Sequence, residues 1–232
     1  MNATTQFILI SLAVVGGLLV LAGLFEHFFC RDRLRLSSPK YITTVANSAA
    51  IASILMLLEF PLLFLAPDFY KLDFSELPAL ISGFYLGPVA GVLTEFLKIL
   101  IKLVFKPSST ALVGELANFS VGCALVLPAS MIYHFRRTKV SAMCGLASGV
   151  LIMTVFGTLF NALYLLPAFA SMYGTPLEAI IAMGTEVNGK ISNVSSFVLL
   201  AVAPMNLLKS LSVSIMTLLL YKRIEPMMFK RS

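Results

Sequence analysis

Long apolar blocks recur along this chain, separated by short polar and charged clusters. Each is close to the roughly 20 residues that a helix needs to cross a bilayer. The blocks predict spans over 7–29, 41–65, 74–87, 88–106, 112–133, 141–169 and 196–221. The segment 74–106 needs a decision, because as one helix it would be about 50 Å long at 1.5 Å per residue. Gly87-Pro88 near its middle is a turn signal, and Pro88 suits the first position of a following helix. A hairpin of two helices, the first rather short, is the alternative.

Charge chooses between them. With the hairpin, "RDRLRLSSPK" (Arg31, Arg33, Arg35, Lys40), "HFRRTKV" (Arg136, Arg137, Lys139) and "KRIEPMMFKRS" (Lys222, Arg223, Lys230, Arg231) share one side, 11 of the 17 Lys and Arg. That is the bias expected of cytoplasmic loops, and a single span would destroy it. The reading is seven crossings, with the N-terminus outside and the C-terminus cytoplasmic. Loops 66–75, 106–111 and 170–195 then lie outside, long enough to close an outward-facing pocket.

Composition agrees with this class. The chain has 232 residues, 59% hydrophobic and 12% charged, with mean hydropathy +0.94; soluble domains are about 25% charged. The net charge of +6 comes mostly from residues flanking apolar blocks, which argues against nucleic acid. Cys30, Cys123 and Cys144 have no CxxC spacing and read as small apolar residues. His27 and His134 have no partner at ligand spacing, so no metal site is expected. "MNATTQ" lacks a positive n-region and the first apolar block is too long for a cleaved signal, so that helix is expected to be retained.

Polar residues inside spans are costly and need a role. Asn161 falls in the outer half of the sixth span, Asn206 and Lys209 in the outer half of the seventh. Glu115 and Asn118 lie near the outer end of the fifth. Three helices thus bring polar groups to similar depth. Packing alone explains an amide, since interhelical hydrogen bonds in membranes average only ~0.6 kcal/mol. Lys209 lies too deep to snorkel and needs either Glu115 or a ligand oxygen. Glu95, Lys98 and Lys102 read as an interior ion-pair face with snorkelling. In "VANSAAIASIL", Ala46 and Ala50 form a small-xxx-small pair, extended by Ala49 and Ser53, that lets another helix approach. "GTEVNGKIS" (Gly184 to Ser192) mimics a P-loop, but Ile191 stands where the hydroxyl belongs and no strand precedes it. No ATPase or other enzyme is expected here.

The stretches "EFPLLFLAPDFYKLDFSELPALI", "LGPVAGVLTEFLKILIKLV", "VGELANF", "LFNALYLLPAF" and "APMNLLKSLSVS" resemble the riboflavin-specific substrate-binding subunits (S components) of energy-coupling-factor (ECF) transporters. These are bacterial vitamin importers of the ABC type, and the resemblance covers residues 40–222. It implies an all-α, polytopic membrane bundle with a six-helix core (37–232); the extra N-terminal transmembrane helix (1–36) lies outside that pattern. It further implies a riboflavin pocket open to the outside, lidded by the loop after the first core helix. By resemblance Asn161, Asn206 and Lys209 hold the flavin ring; Glu115, Asn118 and Asp73 are the further candidate substrate-binding residues. Phe74, Leu72 and Tyr164 are candidates for the apolar wall. The implied partners are riboflavin as transported ligand, a transmembrane coupling subunit docking at Ala46 and Ala50, two ATPases, and membrane lipid in the bacterial cell membrane. No cofactor is expected. The alternatives are an S component for another vitamin or a self-sufficient secondary transporter, although no inverted repeat supports the latter.

Overall fold

A computed structural model describes residues 3–30, 36–108 and 112–228. Helix α1 spans Ala3–Phe29, α2 Pro39–Leu57, α3 Glu76–Leu86, α4 Pro88–Phe105, α5 Val113–Arg136 and α6 Lys139–Phe160. A π-helical turn, Asn161–Leu165, continues α6 into α7 (Leu166–Tyr173), and α8 follows over Leu177–Val187. The short α9 (Val194–Phe197) passes through a second π turn, Val198–Val202, into α10 (Ala203–Met228). A small hairpin pairs β1 (Phe60–Pro61) antiparallel to β2 (Lys71–Leu72), with Phe60 opposite Leu72. The architecture is an all-α membrane bundle, as the apolar blocks predict.

Five helical stretches among the described residues are long and apolar enough to cross a membrane: 12–29, 39–57, 113–136, 139–171 and 194–221. The hairpin at 74–106 behaves differently from the rest. Its first helix is only 11 residues, about 16 Å long, so it reaches roughly halfway through a bilayer core. Its second carries Glu95, Lys98 and Lys102, all buried. Helix α3 and the face of α4 that carries these residues are enclosed by their neighbours, which is what permits the charge. The turn between them is the predicted one: Gly87 adopts φ 126° and ψ 169°, a region open essentially to glycine alone, and Pro88 starts α4. The span expected over 41–65 is corrected, since α2 stops at Leu57. Pro61 keeps Phe60 out of helical conformation, and both residues enter β1.

The two ends of the bundle have different chemistry. At one, Glu59 Oε1 lies 2.6 Å from Lys106 Nζ and 3.1 Å from Lys71 Nζ, tying the β hairpin to the end of α4. Burial works to raise the Glu59 carboxyl, but the hydrogen bonds from Lys106 and Lys71 prevail and hold it below the usual range. At the other end Phe84 stacks on Tyr133, and the Tyr133 and Tyr221 hydroxyls lie 2.8 Å apart. His134 Nε2 is 3.0 Å from the Gly83 carbonyl oxygen, and Phe29 meets Phe135 edge-on. Lys40, over the Tyr85 ring, and the Arg136–Lys139 turn share this second end; Arg31, Arg33, Arg35, Lys230 and Arg231 lie outside the described residues. The hairpin at Gly87 therefore lies at the same end as Lys40 and the Arg136–Lys139 turn.

Helix α1 is joined to the bundle rather than appended to it. Ala22 is fully buried in a cluster with Met56, Val92 and Phe119. Glu26, 4% exposed, accepts a hydrogen bond from the Val89 backbone N–H at 2.7 Å. Gly87 offers no side chain to cap α4, so a carboxylate from α1 does it, where helix N-termini favour negative charge. Removing the cap in Glu26→Ala is expected to cost about 1 kcal/mol. Gly87→Ala should cost about 1–3 kcal/mol through its backbone conformation, and its added Cβ would collide with Glu26. Thermal unfolding in detergent should rank the two variants in that order.

Candidate functional site

Halfway along the bundle lies a buried ion network. Lys98 sits ten residues into α4, about 15 Å from the Gly87 end, and Lys209 twelve residues before Tyr221, about 18 Å from the same end. Lys209 Nζ is 2.9 Å from Asp73 Oδ2 and 2.8 Å from Glu76 Oε1. Lys98 Nζ is 3.3 Å from that same Glu76 oxygen, 2.7 Å from Glu95 Oε2 and 2.7 Å from Ser75 Oγ. The Ser75 backbone N–H donates to Asp73 Oδ1 at 2.9 Å. Glu95 fits because α5 presents Gly122, where any Cβ would strike its carboxylate. Buried charges require this kind of mutual pairing.

This arrangement corrects the partner expected for Lys209. Glu115 does not reach it: Glu115 Oε1 instead lies 2.9 Å from Lys102 Nζ, and Oε2 accepts from Ser108 Oγ at 2.7 Å. Lys102 is buried in that pair rather than snorkelling. The acids that meet Lys209 come from Asp73-x-x-Glu76 at the start of α3. Their three-residue spacing ahead of an apolar run was the available sequence signal.

Around the network are two contiguous cavities. The larger, of about 660 Å³, is lined by Glu59, Lys71, Asp73, Lys102, Glu115 and Asn118 among others. The smaller, of about 140 Å³, is lined by Tyr70, Glu76, Asn118, Asn161, Asn206 and Lys209 among others. Phe69, Lys71, Gly114, Asn118 and Phe169 border both. The structure thus gathers Asn118, Asn161, Asn206 and Lys209 at one cavity, and Asp73 and Glu115 at its neighbour. Phe74, Leu72 and Tyr164 line neither: Tyr164 stacks on Phe160, and Phe74 packs near Phe60. The aromatic wall comes instead from Phe69, Tyr70 and Phe169.

The two π turns shape this wall. Such turns insert a residue into a helix and often mark functional sites. One begins at Asn161, whose Nδ2 donates to the Gly157 carbonyl at 2.7 Å. The other lies just before Asn206, which fits against α6 because Gly157 has no Cβ; one there would stand 2.6 Å from Asn206 Nδ2. Asn206 Nδ2 and Asn118 Oδ1 are buried with no hydrogen-bond partner among the described residues. Asn161 Oδ1 accepts from the Tyr70 hydroxyl at 2.5 Å. Burial raises the Tyr70 phenol well above its ordinary value, so it remains the donor. Tyr70 and Gly157 were not expected from sequence; neither is distinctive as a residue type.

On α2, Ala46 and Ala50 are exposed on the outer surface, whereas Ala49 and Ser53 point into the bundle. The small-residue stripe is therefore narrower than the sequence suggested. Large apolar side chains such as Val104, Leu163 and Leu219 are exposed on outer faces, as lipid-facing positions are.

The comparisons with known proteins agree with this architecture. A solved structure, "Structure and mechanism of the S component of a bacterial ECF transporter", superposes with a TM-score of 0.64 at 33% identity, covering 83% of this chain and 98% of that one. "Riboflavin transporter RibU" of Staphylococcus aureus (strain TCH60) is 31% identical over 194 residues, 84% of this chain and 95% of its own. "Riboflavin transporter FmnP" of Bacillus subtilis (strain 168) is 28% identical over 188 residues, 81% and 93% respectively. The sequence model of the family described as "ECF transporter, substrate-specific component" matches residues 40–221. From α2 to the end of the Tyr133–Tyr221 contact, then, this chain belongs to the family of substrate-specific components of ECF transporters.

Proposed function

We propose that the chain binds riboflavin and delivers it across the bacterial cell membrane as the S component of an ECF importer. The observation that carries this reading is the unpaired amide chemistry of Asn118 and Asn206 beside the Lys209 ammonium. The pyrimidine edge of isoalloxazine alternates carbonyl, N–H and carbonyl, and an amide can both donate to and accept from such an edge. Lys209 spends two of its three N–H donors on Asp73 and Glu76, leaving a charge-assisted donor for a ring carbonyl oxygen. Asn161 completes the edge-reading set. The ribityl hydroxyls need donors and acceptors along their length, and the larger cavity offers Asp73, Glu115, Asn118 and Lys102. The names of the two relatives support riboflavin over other vitamins.

In this reading the cavity end faces outward, because Lys40 and the Arg136–Lys139 turn lie at the opposite end and basic residues favour the cytoplasm. The exposed Ala46 and Ala50 receive the transmembrane coupling subunit, which links the chain to two ATPases; this subunit supplies binding, not catalysis. Purified in detergent without added vitamin, the protein is expected to carry a visible flavin absorption band and to quench added riboflavin fluorescence. A colourless preparation that leaves riboflavin fluorescence unchanged, or that prefers thiamine or biotin, would remove the riboflavin assignment.

A further inference from the structure

We infer that Tyr70 is a built-in competitor for the ligand, occupying the acceptor of Asn161 until a flavin edge displaces it. The inference rests on the riboflavin reading above and adds a residue that sets affinity and selectivity within it. Both ends of the Asn161 amide are engaged within the protein, Nδ2 by Gly157 and Oδ1 by Tyr70. A ligand N–H that uses Oδ1 meets the Tyr70 hydroxyl already there. The cavity at Asn161, Asn206 and Lys209 holds about 140 Å³, well below the ~300 Å³ at which small-molecule sites begin. The neighbouring space of about 660 Å³ is large enough. Phe69 borders both cavities while Tyr70 lines the smaller, so the Tyr70 ring is part of the wall that a three-ring ligand reaching Asn161 must push aside.

Tyr70 is well placed to leave. It ends the loop between β1 and β2, a segment held by the 60–72 pairing and by a turn in which the Tyr70 N–H donates to the Pro67 carbonyl at 3.0 Å. Its ring contacts are with Phe69 and Phe197, at 4.7 and 6.2 Å between centroids. Rotation out of the cavity breaks one side-chain hydrogen bond and the ring's packing against the cluster that holds Leu165 and Phe197, but no backbone ladder. A ligand without an N–H beside a carbonyl cannot replace what Tyr70 gives up, so the tyrosine selects against such ligands.

The test is Tyr70→Phe, which keeps the ring and removes the hydroxyl. Binding of riboflavin to the full chain in detergent, followed by stopped-flow quenching of flavin fluorescence, should show faster association. Dissociation should be nearly unchanged, giving an affinity tighter by roughly three- to tenfold, the share of binding-competent protein having risen. Lumichrome, which keeps the ring edge but lacks the ribityl chain, should gain by the same factor. Unchanged or weaker binding by Tyr70→Phe overturns the inference, weaker binding meaning that the hydroxyl holds the ligand instead. Failure of the parent protein to bind riboflavin at all overturns the transport reading and this inference together. Normal parent binding with no gain in the variant overturns this inference alone.

Discussion

Lys98→Met is expected to destabilise the protein by about 3–5 kcal/mol, the cost of leaving partners of a buried ion pair uncompensated. Asp73, Glu76 and Glu95 face Lys98 and Lys209 inside the bundle, and Glu76, Glu95 and Lys98 have no measurable exposure. Removing Lys98 leaves three acids with one lysine and strips Glu95 of its only ion-pair contact among the described residues. Folded proteins hold only about 5–15 kcal/mol in total, so this variant should lose its folded fraction at temperatures the parent survives. Heating in detergent followed by size-exclusion chromatography reads the effect. Lys98→Met combined with Glu95→Gln removes one charge of each sign and should recover most of the loss. If the single variant is as stable as the parent, the network contributes nothing to folding.

The second large effect concerns binding. Lys209→Gln is expected to weaken riboflavin affinity by at least 10- to 150-fold, matching about 1.5–3 kcal/mol for a hydrogen bond from a charged donor. The loss should exceed that range, because Asp73 would then turn a carboxylate stripped of its Lys209 partner toward a ring carbonyl oxygen. Fluorescence titration measures it. Stability and binding are separated by the double variant Lys209→Gln with Asp73→Asn. It removes one charge of each sign and keeps the network's charge as in the parent, so its thermal stability should approach the parent's while its affinity stays low. Recovery of affinity in the double variant would mean that Lys209 serves the fold alone. Lys102→Gln alters the wall of the larger cavity and its Glu115 pair, and should have a smaller effect on binding.

The hairpin at Gly87-Pro88 shows what local signals can carry. A glycine able to adopt φ 126°, a proline suited to a helix start and the placement of basic loops all pointed to the same turn, and the structure contains it. The three polar helices were equally legible, because an amide or lysine in an apolar block stands out whatever surrounds it. The partner of Lys209 was not. Asp73 is 136 residues away in sequence, and Glu115 looked as good a counterion because helix order alone does not say which faces meet. The end of α2 was misjudged because "EFPLLFLA" is as apolar as the span before it, and hydropathy does not distinguish a strand and loop from a crossing.

By itself the sequence determined that this protein lies in a membrane, that α3 and α4 turn at Gly87-Pro88, and which polar groups need a partner. Those properties follow from residue-by-residue transfer free energies and from local backbone preference, and both act without reference to the rest of the chain. The tertiary structure alone decided that two acids from the start of α3 claim Lys209, that Gly122 and Gly157 make room for Glu95 and Asn206, and that Tyr70 sits on Asn161. These are short-range contacts between distant segments, and an ion pair or hydrogen bond exists only within a few ångströms. Helix packing sets those few ångströms, through side-chain volumes on faces that the linear pattern leaves unassigned.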